Sequence, residues 1–345
     1  MKKTDVTIRN SIIWAAISCG LILVIVVLCF LWPLFFSKSP SQQIIKVPVG
    51  ATEQTMLDTL SKYYGEKYAG AVIKVARLRK SDFSKRHGAY LVDSALSPYK
   101  VERILSHGAQ HPVTIVINNF RGKEILAKKI SDKLDFAPDS LLDYLTDPDF
   151  LKAYDLKPDQ ALAIFLDDSY QVYWSSSPEN IVDKLGSHYN KIWNDERLSK
   201  AAALGLSPAQ VITLASIVDE ETNKQDEKGK IARLYLNRLK KGMKLQADPT
   251  VKFALGDFSL RRIRANHLQA ESPYNTYKHS GLPPGPIRTV TVKDIDAVLD
   301  APPHNYIYMC AKDDFSGYHS FATDYATHMK NARDYQRALN RRNIK

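Results

Sequence analysis

The chain has 345 residues, 44% of them hydrophobic and 25% charged. That length can bury a sizeable core, and the balance excludes a mainly disordered chain. Of three cysteines, Cys19 and Cys29 lie in one apolar N-terminal run and only Cys310 lies beyond it, which excludes a disulfide framework or a Cys-based metal site there.

No charged residue occurs from Ser11 to Phe36, and Trp14 and Trp32 stand near the two ends. A helix crossing a bilayer needs about 20 apolar residues. The run is too long for a signal-peptide core, and no small-x-small cleavage site follows, so it reads as a retained membrane anchor over 11–36. Lys2, Lys3 and Arg9 precede it against one acid, Asp5. The positive-inside rule then leaves residues 1–10 as a cytoplasmic tail, with the rest of the chain outside the cytoplasm. The net charge of +11 is spread along the sequence. It reads as a solvated basic surface, suited to anionic lipid or an acidic cell wall and not to nucleic acid.

Residues 37–43 (SKSPSQQ) read as a polar linker. Ile44–Val49 alternates like a strand, and Ala51–Tyr64 has helical spacing with Thr52 as its cap. Further helices are expected around Gly70–Leu78 and Ser97–Ser106. Residues 44–111 thus form a small mixed α/β module. The strand–turn–helix pattern recurs at Val113–Ile117 and Lys123–Leu134. Next come a helix over Asp139–Tyr154, strands at Ala163–Phe165 and Tyr170–Trp174, and a helix Pro178–Ile192 opened by Ser177. The class is α+β, with residues 112–345 as the larger domain.

Ser207-Pro208-Ala209-Gln210 is a capping-box start. In the helix that follows, Val211, Leu214, Ala215 and Val218 form one buried face. Glu221 continues that face, where lost hydration raises a carboxyl pKa toward the range of a general acid. The same spacing allows a plain surface carboxylate, paired to Arg233 or Arg238 on the next helix, Glu227–Lys240. Glu220 points to solvent, and Asp219 sits at the far edge of the apolar arc. Asp248-Pro249 opens a short helix ending at Gly256. Tyr274-Asn275-Thr276-Tyr277 interleaves aromatic faces with hydrogen-bonding groups, as a sugar groove does, and Gly281–Ile287 (GLPPGPI) is a rigid turn. Cys310 reads as a small buried apolar residue in a strand. His267, His279 and His319 lack ligand spacing and read as structural.

Taken together, ASIVDEET, NRLKKGMKLQADPTV, YNTY and GLPPGPI, in this order, resemble the endolytic murein transglycosylase family, also called YceG-like or MltG. The resemblance extends over nearly the whole chain. It implies a LysM-like module at 44–111 and a transglycosylase domain at 112–345. The family's catalytic acid falls on Glu221, while Asp219 departs from the family's Glu. FLDDSY, Phe165–Tyr170, departs from a proline-containing turn. The implied reaction cuts MurNAc-β-1,4-GlcNAc bonds within nascent glycan strands and leaves 1,6-anhydroMurNAc ends, with Glu221 as acid and then base. Gln246, Tyr274, Asn275 and Tyr277 are the expected sugar contacts, and no metal or cofactor is expected. The implied site of action is the inner-membrane surface, alongside peptidoglycan synthases. Two alternatives stay open: a non-enzymatic wall-binding scaffold, and a hydrolase using Asp219 or another acid as base for water.

Overall fold

The computed structural model of the chain describes residues 2–260 and 262–342, with side chains from residue 13 onward. The chain divides into two compact units. One holds the residues up to 113 with 172–175, and the other holds 114–171 with those from 176 onward.

In the first unit, helix α1 (Lys2–Phe36) contains a 24-residue stretch, Ile13–Phe36, long and apolar enough to cross a membrane. Most of its large side chains are exposed, Trp14 at 68% and Leu23 at 65%. Its last turns are not free: Leu34 is buried against Ala71 and Val75, beside Leu31 and Tyr99. The expected linker is also folded in. The Ser39 N–H donates to Leu96 O (2.8 Å), and its hydroxyl donates to Asp93 O (2.8 Å) while accepting from Leu96 N (3.0 Å). A polar stretch reads as solvated in sequence, but a hydroxyl that both donates and accepts can be buried without loss.

Strands β1 (Gln43–Val47) and β2 (Gly88–Val92) pair antiparallel, from Gln43 opposite Val92 to Val47 opposite Gly88. Between them lie α2 (Glu53–Tyr64), capped by Thr52 as expected, and α3 (Glu66–Arg79). Helix α4 (Pro98–His107) follows. Met56, Leu60, Val72, Val101 and Leu105 fill the space between these elements. Fully buried Glu102 is held by Arg79 at 2.8 Å.

Strand β3 (Pro112–Ile117) pairs with β4 (Asp168–Tyr173), and between them come α5 (Lys123–Ser131), α6 (Pro138–Thr146) and α7 (Pro148–Lys152). The single helix expected over 139–154 is broken at Pro148, which has no N–H to continue it, and Asp147 caps the new start. The strand expected at Ala163–Phe165 is instead the end of a 3-10 helix, Pro158–Ile164. Short apolar runs do not separate these states by pattern.

Then follow α8 (Pro178–Ile192), α9 (Asp195–Ala203), α10 (Pro208–Glu221), α11 (Gln225–Lys240), α12 (Asp248–Leu255) and α13 (Val292–Leu299). A hairpin of β5 (Tyr308–Ala311) and β6 (His319–Ala322) precedes α14 (Tyr325–Arg341). The class is mixed α+β.

Helix α10 is the centre of this unit. Instead of one buried face, every residue from Val211 to Val218 is buried, because α11, α12 and α13 all pack on it. The 281–287 turn is tied to it by Ile287 N–H donating to Ser216 Oγ at 3.0 Å. In that turn Gly285 passes so close to the 3-10 helix that a Cβ would stand 1.8 Å from Asp159 O. Gly285→Ala is therefore expected to destabilise the protein by at least about 1–3 kcal/mol, read as a lower melting temperature in detergent. An unchanged melting temperature would mean that the turn can move aside.

Candidate active site

Helix α10 starts from a reciprocal cap: Gln210 N–H donates to Ser207 Oγ (3.3 Å), and Ser207 N–H donates to Gln210 Oε1 (2.8 Å). It ends in three consecutive acids, and their surroundings differ. Asp219 pairs with Lys228 and with Arg288 at 2.7 Å, and Lys228 also reaches Asp294 at 2.6 Å. Glu220, expected in solvent, is instead paired with Arg121 at 2.5 Å and Arg288 at 3.0 Å, its side chain only 15% exposed. Both arginines come from elements distant in sequence, so helical phase alone could not place them.

Glu221 has no salt bridge among the described residues. Its Oε1 accepts from the Tyr235 hydroxyl at 2.7 Å. The two arginines that could have neutralised it are engaged elsewhere. Arg233 donates to Ala301 O (3.1 Å), and Arg238 donates to Ile307 O and Leu245 O, both at 2.6 Å. Loss of hydration on burial pushes the Glu221 carboxyl up to about 7, and the nearby Asp248 charge adds to this. The Tyr235 hydrogen bond and the positive charges of His319 and Arg238 oppose it. Position adds to the effect, since the last residue of a helix faces the negative end of its dipole. Burial and the neighbouring carboxylate raise the Tyr235 hydroxyl well above its ordinary value, so it stays a donor.

Glu221 opens into a cavity of about 260 Å³, shared with Tyr235, Gln246, Asp248, Tyr277 and His319. Gln246 adopts φ +51° and is held by its N–H donating to Thr276 O at 3.2 Å. The Tyr277 hydroxyl donates to Asp248 Oδ1 at 2.6 Å. Thus the structure brings Glu221, Gln246 and Tyr277 together.

The other two expected contacts lie elsewhere. Asn275 is fully buried: its amide donates to Leu268 O and Ala270 O, both at 2.9 Å, and its Oδ1 accepts from Tyr277 N–H at 3.0 Å. It shapes the loop and offers nothing to a sugar. Tyr274 packs against Phe253 with ring centroids 4.6 Å apart and the planes tilted by 46°, and it lines a different cavity.

Two cavity residues were read otherwise in the sequence. Half-buried Cys310 lines the wall. His319 is held by buried Glu227, whose Oε1 accepts from the His319 N–H and whose Oε2 lies beside Nδ1, both at 2.8 Å. A carboxylate only accepts, so Nδ1 carries the proton and the ring's orientation is set. Spacing gave no sign of this, because Glu227 precedes His319 by 92 residues. Among the described residues, no group of three or more His, Cys, Asp or Glu is placed to hold a metal ion.

The sequence model of the YceG-like family matches residues 45–334. The chain belongs to the YceG-like family. A Bacillus subtilis relative named endolytic murein transglycosylase is 41% identical over 107 residues, 31% of this chain and 29% of that protein. A Streptococcus pneumoniae relative of the same name is 26% identical over 171 residues, 48% of this chain and 31% of that protein. The matched part thus spans less than a third of either relative's length. A solved YceG-like protein from Listeria monocytogenes superposes with a TM-score of 0.56 at 24% identity, covering 84% of this chain and 98% of that one. That likeness concerns the fold.

The raised Glu221 carboxyl links stability to pH. The folded state holds this proton up to about pH 7, whereas the unfolded chain releases it near 4.5. Stability therefore falls as pH rises between those values, and Glu221→Gln removes the loss. The variant is expected to exceed the native chain at pH 8 by up to about 3 kcal/mol in unfolding free energy. The gap should close near pH 4.5. Identical pH dependence in both chains would mean that the carboxyl is hydrated.

Proposed function

We propose that this protein is a membrane-anchored lytic transglycosylase that cuts within nascent peptidoglycan glycan strands. One observation carries the reading. Of three acids ending α10, only Glu221 lacks a counter-ion among the described residues, and it is the one that faces a cavity and holds its proton near neutral pH. The endolytic murein transglycosylase name of the curated relatives supports the substrate class.

In this mechanism protonated Glu221 gives its proton to the glycosidic oxygen as the MurNAc C1–O bond breaks. The resulting carboxylate takes the proton of the C6 hydroxyl on the same MurNAc. That oxygen then closes on C1, giving a 1,6-anhydro end and restoring the acid. Ordinary glycosidases use two carboxylates because water or an enzyme nucleophile must be handled. Here the substrate supplies the nucleophile, so one carboxyl suffices. The Tyr235 hydroxyl orients it, and Gln246 and Tyr277 are the polar groups offered to the sugar.

The apolar stretch Ile13–Phe36 is the anchor in this reading, with residues 1–10 cytoplasmic and the catalytic unit outside the inner membrane. The antiparallel β1–β2 pair with α2 and α3 between the strands supports a LysM-like role for the first module. Peptidoglycan synthases are the expected neighbours of an enzyme that trims strands at their point of synthesis.

Purified chain and its Glu221→Gln variant, given uncrosslinked glycan strands, test the reading by mass spectrometry of the products. Internal cuts with anhydro-muramic ends should fall at least about a hundredfold in the variant. Reducing ends would mean a hydrolase, and binding without cleavage would mean a scaffold.

The rate should also decline above about pH 7, as Glu221 loses its proton. Tyr235→Phe removes a hydrogen bond that favours the carboxylate, so this alkaline limb should move to higher pH. A limb unmoved in Tyr235→Phe would assign it to another group.

A further inference from the structure

The cavity that holds Tyr274 is separate from that of Glu221 but is made from the same two elements. Helix α12 gives Asp248 to the Glu221 cavity and Phe253 to the second one. The 274–277 loop gives Tyr277 to the first and Tyr274 to the second. Along α12, Asp248 and Phe253 are separated by a rise of about 7.5 Å and a turn of about 140° about the helix axis.

The second cavity measures about 180 Å³. Its walls are the Phe253–Tyr274 pair, whose ring planes are tilted by 46°, with Leu162, Pro158 and Pro286, and its rim carries Lys123 and Glu124. This is the chemistry that holds a pyranose: flat apolar surface for the C–H face of the ring, and charged groups at the edge for its hydroxyl and amide substituents. The walls are also fixed in place. Pro286 follows Gly285, which is packed against the Asp159 backbone, and the Tyr274 hydroxyl reaches Asp159 O at 3.5 Å. A preformed cavity of this kind costs little ordering on binding.

We infer that the Phe253–Tyr274 cavity is a distal sugar subsite that holds a residue of the same glycan strand away from the bond at Glu221. This inference rests on the transglycosylase reading. The occupant is argued from continuity: a strand cut internally must continue past the Glu221 cavity on both sides, and α12 and the 274–277 loop run from one cavity to the other. The subsite makes cleavage depend on strand length, since only a strand long enough to fill it gains the added binding. That gain raises kcat/KM for long strands over short ones.

The test uses the full chain in detergent with uncrosslinked strands of two lengths, the shortest that are cleaved and a long fraction. Two variants probe the subsite. Phe253→Ala removes an aromatic wall, and Glu124→Trp at the exposed rim fills the cavity without touching the packed interior. In each, the ratio of kcat/KM for long over short strands should fall about tenfold, through KM. An unchanged ratio in Glu124→Trp, or an equal loss on both lengths in Phe253→Ala with its melting temperature kept, would overturn the subsite. Strand binding by Glu221→Gln separates this from failure of the functional reading. If long strands bind that variant no more tightly than short ones, the subsite is absent. If the native chain cleaves nothing yet Glu221→Gln still prefers long strands, the reaction is wrong and the subsite stands.

Discussion

Three consecutive carboxyl groups at the end of a helix buried on all sides are the constraint on which the second unit is built. At that end the helix dipole is already unfavourable to anions, and burial removes the water that would screen them. The fold compensates two of the three. Arg288 lies between Asp219 and Glu220, Lys228 lies between Asp219 and Asp294, and Arg121 closes on Glu220. Glu221 receives one hydroxyl. Glu221 thus differs from its two neighbours in having no counter-ion among the described residues.

Helix α11 does most of the sorting. Lys228 and Tyr235 stand seven residues apart on one face, so the same stripe that neutralises Asp219 also presents a neutral donor to Glu221. Glu227, next to Lys228, reaches the hairpin strand β6 and fixes His319. Arg238 donates to the carbonyls of residues 245 and 307, which secures the cavity wall and leaves Glu221 without a direct ion pair to it. One helix therefore supplies charge balance, carboxyl orientation and wall support at once.

The first unit follows a different rule. Its apolar helix does not end in a tether: Leu34 is packed between α3 residues, and Ser39 is locked by three hydrogen bonds. The exposed apolar side chains earlier in that helix contrast with this packing and mark where the protein interior stops.

Much of this was legible in the residues. Local patterns act over one or two turns, and there they were sufficient. The Ser207 capping box, the Thr52 and Ser177 caps and the apolar run before Phe36 all follow from neighbours within a few positions. What failed needed partners far along the chain. Glu220 looked solvated because Arg121 lies 99 residues away. Asn275 looked like a sugar contact, since an amide's chemistry is visible in sequence and its burial is not. By itself the sequence determined where the acids stand and which helix carries them. Only the tertiary structure decided which acid keeps its proton and which loop residues face a cavity, because counter-ions and solvent access are set by elements that meet through folding and not by helical phase.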